Sequence, residues 1–205
     1  MFETIFKTEL ININTDNYLI AKLWSEIKSN YGKPHRHYHT LAHLDQLINE
    51  LLPVKDNIND WQTIVLSIAY HDIIYNTLKQ DNEEKSEKFA STRMNLLNLT
   101  TRQKDKCRQQ ILATKAHSIS PDSDTNYFTD ADLSILGSEY NSYREYTDQI
   151  RKEYKFYPDF LYNPGRQKVL KHFLQMPKIY KTTYFAEKYE QQARYNMINE
   201  LKAIA

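Results

Sequence analysis

Apolar residues recur every three or four positions along nearly the whole chain, the pattern of amphipathic helices packed around a core. Leu19, Leu23, Ile27 and Tyr31 form one such stripe, with Asp16 as a candidate N-cap and Gly32 as a stop. Lys33 to His39 is a basic, proline-containing connection. Leu41, Leu44, Ile48 and Leu51 then mark a second helix, which carries His39 and His43 at its beginning and ends before Pro53. A third opens near Asn59 or Asp60, and its apolar face (Trp61, Ile64, Val65, Ile68) runs directly into His71 and Asp72. Asp81 or Asn82 caps a fourth, which places Glu83 on one face with Ser86, Ala90, Met94 and Leu97. A fifth follows Thr101, with Cys107, Ile111, Thr114 and His117 on one stripe. The stretch SISPDSDTN reads as a surface loop, after which Thr129 or Asp130 opens a helix with Asp132 near its start. A tyrosine-rich helix from Tyr140 to Tyr157, one from Pro164 to Gln175 and one from about Thr183 to Ile204 complete an all-α bundle of about eight to nine helices. The pattern predicts no strand and no internal repeat.

A chain of 205 residues, 40% hydrophobic and 26% charged, is long enough to bury a sizeable core and is expected to form one domain over 1–205. Three glycines are too few for many tight hairpins or a glycine-rich phosphate loop. The formal net charge of +1 gives no broad electrostatic reason to expect nucleic-acid or membrane-surface binding. No stretch approaches the ~18 apolar residues of a membrane span. The single cysteine, Cys107, excludes an internal disulfide and suits a reducing compartment. The opening MFETIFKTEL carries Glu3 and Glu9 and lacks a secretory pattern. A soluble, cytoplasmic protein is expected.

The chemistry concentrates in YHTLAH, AYHDIIY and TDADLSIL, which hold His39, His43, His71, Asp72 and Asp132. Four residues apart on a helix, His39 and His43 project from one side about a turn from each other. Adjacent His71 and Asp72 differ by about 100° around a helix, so an ion lying between them contacts both. Two polar groups at the end of an apolar stripe should be largely buried, which is costly unless they are hydrogen-bonded, paired or bound to metal. Imidazole mixed with carboxylate suits Mn, Fe, Co, Ni or Zn better than Ca, and Mg is a further candidate. A metal would lower the pKa of a bound water from about 15.7 towards 7. Around this set, Glu83 is either a group that orients the attacking water or takes its proton, or a first-turn glutamate favoured by the helix dipole. Asp130 is either an acceptor for a ligating imidazole or a helix cap. Arg36, three residues before His39, is a candidate phosphate clamp, whereas Arg166 reads as structural. The tyrosine stripe at 140, 143, 146 and 154 reads as core. Ser86 and Cys107 have no evident base partner for nucleophilic work.

At these residues the sequence resembles the HD superfamily of metal-dependent phosphohydrolases, helical bundles whose ligands run His, His-Asp, then a later Asp. It is most similar to the bacterial family described as predicted metal-dependent HD phosphohydrolases. The likeness extends through RHYHTLAHL, HDIIY, DNEEKS, TDADLSILG, IRKEY, NPGR and EQQARYNMINEL. It implies a metal core over about 34–137, completed by C-terminal helices over 138–205. Tyr38-His39-Thr40, His43 and Ala131-Asp132-Leu133-Ser134 resemble segments of the cyclic-nucleotide phosphodiesterases. By that likeness His43, His71, Asp72 and Asp132 are the metal ligands and His39 is the acid that protonates the leaving oxygen. The guanosine-tetraphosphate hydrolases imply a competing register with His39 as the ligand; the first register is preferred. His117 is implied as a phosphate contact or a ligand to a second metal.

The activity so implied is metal-dependent hydrolysis of a small phosphate ester, with nucleotides among the candidates. Two alternatives remain: a nucleotide-binding or sensing module without turnover, and a dinuclear iron oxygenase of the same fold. The last needs more histidine ligands, of which His117 supplies only part.

Overall fold

In a computed structural model that describes residues 1–204, the helical periodicity becomes ten α-helices, with no strand among the described residues. They form two compact units, residues 1–129 and residues 130 onward. The first contains α1 (Phe2–Asn12), α2 (Asn17–Tyr31), α3 (Leu41–Leu51), α4 (Trp61–Tyr70), α5 (Asn82–Met94), α6 (Thr101–Ala113) and most of α7 (Ser123–Asp132). The second contains α8 (Tyr140–Glu153), α9 (Asp159–Gln175) and α10 (Thr183–Ala203).

The helix count exceeds the eight to nine expected because residues 2–12 are helical too. Phe2, Phe6 and Leu10 are buried at four-residue spacing, and the Phe2 and Phe6 rings lie 6.4 and 6.0 Å from Trp24. That stripe is only three residues long, and Ile11 beside it is exposed, which blurs the period.

α4 is the axis of the first unit. Every residue from Thr63 to Tyr70 is buried, as befits a helix apolar on all sides, and α1, α3, α5 and α6 pack against it. Its N-terminus is fixed twice. The Asp60 side chain accepts from the Thr63 amide (3.0 Å), and buried Asp124 of α7 accepts from the Asn59 and Asp60 amides (both 2.9 Å). Asp124 also takes the Lys106 ammonium of α6 at 2.5 Å. The stretch expected as a surface loop is therefore partly helix, and Asp132 stands at the end of α7 and not near a helix start.

In the second unit α10 carries side chains that satisfy irregular backbone. Glu190 accepts from the amides of Ile179 and Tyr180, and Asn196 donates to the carbonyls of Leu136 and Ser138. Arg166 makes a two-pronged ion pair with Glu200 (2.7 and 2.9 Å), to which Tyr143 also donates. α9 begins five residues before Pro164, which lies inside the helix and leaves one carbonyl without its usual amide. The expected start at Pro164 is corrected accordingly.

Two changes test this packing. A methyl group on Gly137 would sit 2.5 Å from Tyr189 Cβ and 2.7 Å from its carbonyl oxygen. Gly137→Ala is therefore expected to lower stability by about 1–3 kcal/mol in thermal melts. Burial alone would push Asp124 up, but the Lys106 ammonium and the two amides outweigh it and hold the carboxyl below its usual value. A depressed folded pKa makes its stabilisation fully present above about pH 3.9, the unfolded value, and lost as pH falls through the folded one. Asp124→Asn should flatten that acid limb in urea midpoints measured from pH 6 downward; an unchanged limb would refute the assignment.

Candidate metal centre

His71 and Asp72 are not on a helix. α4 ends at Tyr70, and His71 caps it with its amide bonded to the Ser67 carbonyl at 2.9 Å. Asp72 then opens an irregular segment that reaches residue 80. His39 likewise precedes α3, whose N-cap is Thr40, so only His43 is helical. Both helical spacings expected for these pairs are thereby corrected. The cause at His39 is local: the Thr40 hydroxyl accepts from the Ala42 amide, and the Thr40 amide closes a tight turn onto the Tyr38 carbonyl. Irregular backbone serves the site better than helix would, because neighbours in sequence can aim at one point.

Three side chains hold these two irregular segments. Arg36 is buried, with its guanidinium donating to the carbonyls of His39 (3.1 Å) and Ile73 (3.0 Å) between the rings of Tyr31 and Tyr75. Ser86, buried in α5, accepts from the Ile74 amide and donates to the Ile74 carbonyl. Asn82 pairs reciprocally with the backbone of Asn76, both bonds at 3.0 Å. DNEEKS thus supplies two loop clamps, a role that the apolar stripe alone did not reveal.

The clamped segments bring the donor atoms together. His43 Nε2 lies 3.2 Å from His71 Nε2, and Asp72 Oδ2 lies 3.2 Å from His71 Nε2 and 4.0 Å from His43 Nε2. Both imidazoles are buried and Asp72 is half-buried. His71 Nδ1 is 3.1 Å from the Ile68 carbonyl, which can only accept, so Nδ1 carries a hydrogen and Nε2 is the nitrogen turned to the cluster. Ligands on adjacent vertices of an ion with bonds of about 2.0–2.1 Å sit about 3.0–3.4 Å apart. The nitrogen and oxygen donors suit a divalent transition ion, and the two 3.2 Å separations match that spacing while the 4.0 Å one exceeds it.

On α7, Asp124, Phe128 and Asp132 share a face at four-residue steps. Asp124 is tied to the start of α4, and the Phe128 ring meets His71 edge-on at 5.7 Å. Asp132 comes one turn later, at the end of the helix.

His39 also approaches Asp72. Its Nε2 is 3.7 Å from Asp72 Oδ2, and its ring lies over Tyr75 at 4.3 Å between centroids with 32° between planes. Tyr38 meets it edge-on at 5.0 Å. Tyr75 did not emerge from the periodicity, because HDIIY was read as helix. Glu83 is half-buried in the first turn of α5; burial, then the charge of Asp72, raises its carboxyl above the usual range against the pull of its own amide and Lys115.

Of the remaining candidates, Arg36 and Asp130 are engaged by main-chain groups. Arg36 spends two guanidinium nitrogens on backbone carbonyls, which makes it a brace for the site and not a free phosphate clamp. Asp130 accepts from the Lys181 and Thr182 amides and the Thr182 hydroxyl, so it caps α10 and its bonds do not go to an imidazole. His117 follows the end of α6, half-buried, with a left-handed φ of 49°.

No family model, curated protein or solved structure matches this chain.

Replacing Arg36 by Met keeps the bulk but strands two carbonyls, so a loss of about 2–4 kcal/mol is expected. If Arg36 braces the centre, Arg36→Lys should also weaken Mn or Co binding measured by calorimetry at a temperature where the variant is folded. Unchanged affinity would show that the brace does not matter to the site.

Proposed function

We propose that this protein is a metal-dependent phosphohydrolase of the HD type, acting on a small phosphate ester, with nucleotides among the candidates. The observation that carries the reading is the convergence of His43 Nε2, His71 Nε2 and Asp72 Oδ2 within 3.2–4.0 Å in a clamped, largely buried setting. His43, His71, Asp72 and Asp132 would hold the ion, in keeping with the resemblance of the motifs. A divalent ion there would supply Lewis acidity and lower the pKa of a water to near neutrality.

The chain's own groups divide the proton work. Glu83, with its raised pKa, accepts the proton of the attacking water as its oxygen bonds to phosphorus. His39, steered by the face of Tyr75, gives a proton to the leaving oxygen as the phosphorus–oxygen bond breaks. His39 Nε2 stands 3.7 Å from Asp72 Oδ2, near enough to act at the cluster, and its assignment as the acid rests on the resemblance of the motifs.

Purified protein assayed with an aryl phosphate and a nucleotide panel, with Mn, Co, Ni or Mg, should turn over at least one substrate. His39→Gln should keep metal, measured by elemental analysis, and lose about 10²-fold or more in kcat. His71→Ala should lose both metal and turnover. No hydrolysis by metal-loaded protein would remove the enzyme reading for these substrates. Loss of metal on changing His39 would reverse the roles of His39 and His43.

A further inference from the structure

The turn between α8 and α9 exposes what a solvated surface ordinarily hides. Phe156 is 69% exposed, Phe160 75% and Leu161 54%, all within six residues at the tip of this helical pair. Isolated exposed apolar side chains are ordinary, but a cluster of three with two phenylalanines marks a contact surface.

The charges along the two helices lean basic, with exposed Glu145 and Asp148 on α8 before the tip. Between Arg151 and Lys171 there are six basic residues and two acidic ones. Glu153 is buried, and the other acid, Asp159, is held by Arg151 at 2.7 Å. Arg166 is buried against Glu200. Lys152, Lys155, Lys168 and Lys171 are left exposed with no carboxylate partner among the described residues, and Lys155 lies over the Phe156 ring at 5.5 Å. The whole-chain charge of +1 conceals this local excess.

We propose that the α8–α9 tip is a peripheral contact for an anionic phospholipid surface. Phenylalanine and leucine enter the boundary between headgroups and acyl chains, while lysines at the rim meet the anionic headgroups. The adjoining depression on α9 is lined by Pro164, Gln167, Lys168, Lys171, His172 and Gln175, which sets two of the lysines beside it. No helix among the described residues is long and apolar enough to cross a membrane, so the contact is superficial.

Co-sedimentation of the full chain with phosphatidylcholine vesicles, with and without phosphatidylserine, tests this independently of any hydrolytic activity. Binding is expected only with phosphatidylserine, and should fall at high salt. The double variant Phe156→Ser, Phe160→Ser should retain its melting temperature and lose at least about tenfold in vesicle partitioning. Lys152→Glu with Lys155→Glu should weaken binding at low salt. Failure of the wild-type chain to sediment with phosphatidylserine vesicles would overturn the proposal, as would undiminished binding by the phenylalanine variant. Self-association abolished by that variant, without vesicle binding, would assign the tip to a protein contact and also overturn it.

Discussion

The guanidinium of Arg36 is the constraint on which the candidate centre depends. A buried cation bonded to two main-chain carbonyls, one in each of two irregular segments, fixes His39 relative to Ile73 and hence to the His71-Asp72 pair. Such segments have no helical ladder to satisfy their backbone, so a side chain must do it or water must enter. Arg36 does so between two tyrosine faces, where its planar fork reaches both carbonyls at once and a lysine ammonium could not reproduce the geometry.

The same device recurs wherever a helix gives way to irregular chain. Ser86 and Asn82 hold the segment after His71, and Asp124 holds the residues before α4. In the second unit Asp130 holds the start of α10, while Glu190 and Asn196 hold neighbouring connections. Each of these groups is at least half-buried, and each directs its polar atoms at main-chain groups that would otherwise be stranded. The consequence for function is preorganisation. Imidazoles held by their surroundings need not reorder when an ion or a substrate arrives, which reduces the cost of binding.

The motif residues were legible because their chemistry is rare in apolar surroundings. A histidine and an aspartate directly after Ile64, Val65 and Ile68 could not be ordinary surface groups, and the structure buries His71 and half-buries Asp72. Arg36 and Asp130 stood out by their nearness in sequence to His39 and Asp132, but their partners were not foreseeable. The His39 carbonyl, the Ile73 carbonyl and the amides at Lys181 and Thr182 are main-chain groups, which leave no mark in side-chain patterns. Tyr75 escaped notice for a related reason: its meeting with His39 depends on a turn that periodicity read as helix.

The sequence by itself determined that the chain is helical, through apolar spacing and scarcity of glycine, and it located the polar residues that the core would have to accommodate. It also marked most of the helix starts, because capping is a local matter between a side chain and an amide three residues on, as at Asp16 and Asp60. The start of α3 after Thr40 is likewise a local cap. Only the tertiary structure decided that α4 stops one residue before His71 and that Asp132 ends its helix; the irregular stretch after α4 is held by bonds between residues tens of positions apart, such as Arg36 with Ile73. Whether His43, His71 and Asp72 meet at one point is a distance across the fold, set by packing and absent from any spacing along the chain.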